Sequence, residues 1–131
     1  MEAVADLTAV AGFSRGYYER AEAEAQLASM RDAFSHTHPD AFVAATNANE
    51  QTDLSPFAPL VTAPTLLIAG EEDNMTPFDP APSGVGFAQI KEVIPDCKTV
   101  VLPECGHYLV LEQPEKAAEL VKGFVKRPNA A

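Results

Sequence analysis

The chain has 131 residues, enough for one small domain with a single core, and its 47% hydrophobic and 21% charged content is that of an ordinary globular protein. Nineteen acidic against nine basic residues give a formal charge of −10, which repels nucleic-acid phosphates and anionic lipid and so argues against nucleic acid and membrane surfaces as partners. The two cysteines, Cys97 and Cys105, lack the paired spacing of zinc or redox motifs, and acids stand at the N-terminus where a leader needs bases; a reducing, cytoplasmic setting is expected.

From Glu19 to Phe34 the run is rich in Ala, Glu and Gln, with Leu27, Met30 and Phe34 at helical spacing, and this predicts an amphipathic helix. Pro39 and Asp40 suit the first turn of a second helix, which Thr52 and Asp53 end. Pro56, Pro59 and Pro64 then break regular structure and make a connector. The run TLLIAG, residues 65 to 70, is continuously apolar and closed by glycine, the pattern of a strand buried on both faces of a parallel sheet. Residues 79 to 86 read as a loop, 87 to 94 as a short helix ended by Pro95, and 98 to 102 as a second strand. A last helix starts at Pro114 and carries Ala117, Leu120, Val121 and Phe124 on one face. Alternating strands and helices imply parallel strands. The expected class is therefore α/β, with a helical segment over residues 1 to 52, a strand-helix-strand-helix portion over 53 to 127, and a tail from 128 to 131.

In an open parallel sheet, functional groups gather beyond the carboxyl ends of the strands. The first strand runs into Glu71, Glu72 and Asp73, and the loop after the second carries His107, so an acid and a histidine fall on one rim. A carboxylate beside an imidazole fixes its tautomer and stabilises the imidazolium. Composition alone favours solvated acids and a loop-capping histidine. The charges of Glu71 and Glu72 would raise the Asp73 pKa and a protonated His107 would lower it, so the net direction stays open.

The stretches VTAPTLLIAGEEDNMTP and KTVVLPECGHYLVLEQPEKAAELVKGFV resemble the C-terminal part of the α/β-hydrolase fold family, over residues 53 to 125. A Pro-Thr-Leu lead is matched by Pro64, Thr65 and Leu66, a Gly-x-x-Asp turn by Gly70 and Asp73, a Gly-His pair by Gly106 and His107, and a Pro-Glu helix start by Pro114 and Glu115. The resemblance implies Asp73 as the catalytic acid and His107 as the catalytic base. Met75, Phe78 and Tyr108 border the same rim and are candidates for an apolar substrate pocket, with core packing as the alternative.

Gly12, Ser14 and Gly16 spell the GxSxG pattern of a nucleophile elbow, and Ser14, Asp73, His107 follow the family's chain order. Three features count against Ser14. No strand is readable between residues 17 and 63, where the family has one; Tyr17 and Tyr18 follow the second glycine, where the family places a small residue; and no upstream loop supplies the second oxyanion donor. Residues 5 to 49 are instead similar to the helical lid that such hydrolases insert before the acid-bearing strand.

The expected function is thus hydrolysis of a small ester, lactone or related bond by nucleophile-His-Asp chemistry, in a portion lacking the nucleophile elbow. A truncated, non-catalytic binding module of the same fold is the alternative. A small-molecule substrate is the expected partner, and a second copy or an N-terminal half of the fold is expected to cover the open sheet edge. No cofactor and no metal is expected: His36 and His38 lack a third ligand at suitable spacing, and Gly84 and Gly86 are followed by Gln89 where a dinucleotide fingerprint wants glycine.

Overall fold

The computed structural model describes residues 1–79 and 86–126. Helix α1, Glu2–Gly12, places Ala5, Ala9 and Gly12 on one buried face, the three- and four-residue spacing that turns one side of a helix toward a core. The chain leaves it through extended Phe13 and Ser14 and winds a 3-10 turn over Arg15–Glu19. Helix α2 follows at Ala23–Ser35. The first predicted helix therefore begins four residues later than its composition suggests, because the 3-10 turn runs through Glu19 and residues 20 to 22 form the turn that follows it.

Ala9, Phe13, Tyr17 and Ala23 form a buried cluster, closed by Leu27, Met30 and Tyr108. The rings of Phe13 and Tyr17 lie parallel at 4.3 Å, and the Arg20 guanidinium sits 5.2 Å over the Tyr17 ring. Helix α3, Pro39–Gln51, has the expected bounds and no buried residue; Phe42 meets Phe34 of α2 with ring centroids 5.8 Å apart. The proline-rich connector is not wholly irregular: Ser55–Leu60 forms a short 3-10 turn, which tolerates Pro56 at its start.

Strand β1, Thr65–Gly70, pairs in parallel with β2, Cys97–Leu102, in a register running from Thr65 opposite Cys97 to Gly70 opposite Leu102. Helix α4, Phe87–Val93, lies between them in sequence and contacts both strands. A single-turn helix α5, Leu109–Glu112, and helix α6, Pro114–Val125, complete the chain. The α/β order and the parallel pairing are those the sequence implies, whereas α5 was hidden inside an apolar stretch.

The expectation of a strand buried on both faces needs correction. Only Ala69 and Gly70 of β1 are buried, and residues 65 to 68 are half-buried. Among the described residues the sheet has two strands, so each keeps an open edge and the faces are only partly covered. Most of the loop expected over 79 to 86, with its Gly84, and the tail from 128 lie outside the described residues. No helix among the described residues is long and apolar enough to cross a membrane.

Candidate active site

The two strand exits are stitched together by backbone hydrogen bonds. The Glu71 amide donates to the Leu102 carbonyl at 2.9 Å, the Glu72 amide to the Cys105 carbonyl at 2.8 Å, and the Asp73 amide turns back to Gly70. Gly70 has no room for a side chain, since a Cβ there would run into the carbonyls of Cys105 and Gly106. This close approach sets the acid's turn against the histidine's loop.

Asp73 is buried and its carboxylate is fully engaged. Oδ1 accepts the amides of Met75 at 2.9 Å and Thr76 at 2.8 Å, and Oδ2 accepts the Thr76 hydroxyl at 2.9 Å. His107 Nδ1 stands 3.0 Å from the same Oδ2 and 3.1 Å from the Thr76 hydroxyl oxygen. An ionised carboxylate only accepts, which assigns the shared proton to Nδ1 and leaves Nε2 as the imidazole's acceptor. Burial pushes the Asp73 carboxyl upward, but the hydrogen bonds from Thr76, His107 and Met75 outweigh it and hold the group below the ordinary aspartate value. The direction left open by charge counting is thus downward.

The main chain of His107 is held as well: its amide donates to the Gly12 carbonyl at 2.6 Å. The ring is about one-third exposed, packs edge-on to Tyr108 at 5.4 Å, and keeps one side on the rim. Sequence reasoning identified Asp73 and His107, and they lie side by side. It missed Thr76, whose backbone and hydroxyl both serve the acid. The Asp-x-x-Thr spacing, in which a side-chain oxygen caps the turn that follows, was the available signal.

Ser14 is brought to the same region and engaged elsewhere. It is 1% exposed, and its hydroxyl donates at 2.5 Å to Oε2 of Glu112, a carboxylate that is itself 3% exposed. The serine stands between a helix and a 3-10 turn, not at a strand-to-helix turn, so the elbow geometry its sequence pattern suggests is absent. Glu112 was not singled out from sequence at all.

The remaining candidates divide. Met75 is exposed and Phe78 half-buried, with the Phe78 carbonyl accepting the Ala88 amide. The Tyr108 ring is packed inward on Phe13, at 4.8 Å, and over Gly12, as its core-packing alternative describes. Glu71 and Glu72 line an open cleft of about 440 Å³ with Arg15 and Asn74, and they also brace loops: Glu72 accepts the Arg15 amide at 2.9 Å and Glu71 the Glu104 amide at 3.4 Å. Glu104 itself sits at φ 51°, a left-handed backbone that non-glycine residues adopt at some cost. Cys105 is fully buried, and burial pushes its thiol up to about 11, which marks it as an inert filler. Among the described residues no group of three or more His, Cys, Asp or Glu is placed to hold a metal ion.

A helical segment followed by a parallel β-α-β unit, with an acid and a histidine meeting beyond the strand ends, defines a partial α/β-hydrolase fold. Solved structures agree. An α/β-hydrolase enzyme from a Medee basin deep-sea metagenome library, MGS-M2, superposes with a TM-score of 0.81 at 26% identity, over 98% of this chain and 46% of its own. The enol-lactonase from Burkholderia xenovorans LB400 gives 0.82 at 28% identity, over 97% of this chain and 45% of its own. In sequence, a 2-hydroxy-6-oxo-6-(2'-aminophenyl)hexa-2,4-dienoic acid hydrolase from Metapseudomonas resinovorans is 30% identical over 71 residues, 54% of this chain and 22% of that protein. No protein-family model matches the chain. The chain is thus similar to α/β hydrolases in fold and in sequence, and it spans less than half the length of these relatives.

Proposed function

We propose that the chain carries the acid and base of a hydrolase acting on a small ester, lactone or related bond, with Asp73 as the acid and His107 as the base. The observation that carries this is the 3.0 Å contact between His107 Nδ1 and a buried, hydrogen-bonded Asp73 carboxylate, on a ring that still reaches the rim. In this reading His107 Nε2 takes the proton of a nucleophilic hydroxyl as it attacks the carbonyl carbon. It then gives that proton to the leaving group, and repeats the exchange with water to release the acid. Asp73 holds the ring and balances the imidazolium; Thr76 holds Asp73. The nucleophile comes from a segment of the fold outside these residues, because the Ser14 hydroxyl is buried on Glu112.

The same reading assigns residues 1 to 52 as a lid-like segment, Met75 and Phe78 as substrate-facing, and a cytoplasmic setting in keeping with two free thiols. It also assigns the open edge of the two-stranded sheet to the remaining half of the fold. The open edge is the one observation favouring a second reading, a non-catalytic module that binds another chain there.

Assay on a short p-nitrophenyl ester separates these. The 131-residue chain alone is expected to give no turnover above background, and a chain extended in frame by its upstream coding sequence is expected to turn over and to lose activity on His107→Ala. Turnover by the 131-residue chain that Ser14→Ala abolishes would overturn the assignment of Ser14. An inactive extended chain, together with a concentration-dependent dimer of the shorter one, would select the binding module.

A further inference from the structure

We propose that Ser14 and Glu112 form a latch that fixes the Gly106–His107 peptide, which makes both of them positioning residues for His107; this rests on the reading of His107 and Asp73 as base and acid. Glu112 Oε1 accepts the Gly106 amide at 2.9 Å and the Ser14 amide at 3.1 Å, while Oε2 accepts the Ser14 hydroxyl. The Gly12 carbonyl, two residues before Ser14, accepts the His107 amide. Two consecutive amides of the histidine loop are therefore held by two acceptors, and both acceptors belong to one bonded unit. That unit joins residues 98 apart in sequence.

A buried carboxylate is costly unless its lone pairs are filled, and hydrogen bonds to an ionised acceptor are about twice as strong as neutral ones. Three donors on Glu112 meet that condition, and two of the three come from Ser14. The fit is too close for variation at Gly106, where a Cβ would run into the Gly12 carbonyl, the Ser14 amide and Glu112 Oε1. Glu112 is presented by the single turn α5, whose terminal carbonyl accepts Arg20 Nη1 at 2.5 Å, so the N-terminal segment braces the carboxylate's backbone as well as its side chain. With the peptide on the N-terminal side of His107 clamped, the imidazole keeps its side-chain rotation, and the Asp73 carboxylate then selects one ring orientation. The GxSxG pattern thus has a use here that needs no nucleophile: its serine supplies two donors and its first glycine one acceptor.

Solution NMR of the full 131-residue chain tests the latch through two signals: the low-field proton of His107 Nδ1 held by Asp73, and hydrogen exchange at the Gly106 and His107 amides. Asp73→Asn serves as the reference for the first signal. Ser14→Ala is expected to speed Gly106 and His107 exchange roughly tenfold, the loss of one charge-assisted hydrogen bond, and to broaden the Nδ1 signal. Glu112→Ala is expected to remove that signal, and Glu112→Gln, which keeps a side-chain oxygen for the Gly106 amide, to restore part of it. Should Glu112→Ala unfold, Ser14→Ala decides alone, since it deletes a single hydroxyl. If Asp73→Asn removes the Nδ1 signal while Ser14→Ala leaves both signals unchanged, the latch is overturned and the acid-base pair stands. If the unsubstituted chain has no Nδ1 signal that depends on Asp73, the pair itself fails and the latch with it.

Discussion

The stretch from Ala9 to Ala23 and helix α3 both come from alanine-rich sequence in the same half of the chain, and they end in opposite environments. The first buries Ala9, Phe13, Ser14, Tyr17 and Ala23, with two aromatic rings stacked and a serine closed off on a carboxylate. The second buries nothing. Helix propensity and a proline start suffice to form α3, but they give it no address in the fold. What anchors the first stretch is its contact with the loop that carries His107, supplied by backbone atoms of Gly12 and Ser14 that leave no trace in a hydropathy pattern.

Substitutions can break that contrast, in decreasing order of effect. Tyr17→Ala removes a ring that is 1% exposed and stacked on Phe13, and is expected to lower unfolding stability in urea by about 3 to 4 kcal/mol, as large aromatic truncations do. Gly106→Ala forces a methyl group against the backbone of Gly12 and Ser14, with an expected loss of about 2 to 3 kcal/mol in the same titration. Asp73→Asn acts through pH. The Asp73 carboxyl is held below its unfolded value, so its contribution to stability is full above about pH 4 and is lost as pH falls through the lower folded value; the variant's acid-side stability curve is therefore expected to be flatter. Val43→Ala, at a 55% exposed site on α3, is expected to change stability by less than about 0.5 kcal/mol. A loss as large as that at Tyr17 would mean that α3 is docked and would erase the difference between the two regions.

The legible parts of this molecule are those set by local pattern. TLLIAG gave β1 its bounds, Pro39 and Thr52 bracketed α3, and Pro114 opened α6, because apolar runs, prolines and caps act over a few residues. Asp73 and His107 were readable because each follows a strand within a few residues, and parallel pairing brings strand ends together. Glu112 was not readable. It closes a four-residue turn inside the apolar run LVLE, and its partner Ser14 is 98 residues away. The burial of β1 was overestimated for a related reason: a continuous apolar run reports what a strand is suited to be covered by, and the described residues supply only part of that cover.

The hydrogen bond from the His107 amide to the Gly12 carbonyl also bears on how the chain can be cut. Secondary structure invites a division between residues 52 and 53, with helices on one side and both strands on the other. A protein trimmed there would keep Asp73, Thr76 and His107 and lose the acceptor for one amide of the histidine loop and two of the three donors that neutralise the other amide's carboxylate. Exchanging the helical half for that of a similar α/β hydrolase would carry the same penalty unless residues 12 to 14 travelled with the strands. Engineered chimeras of this chain are therefore best joined after Arg20, whose guanidinium reaches the α5 turn.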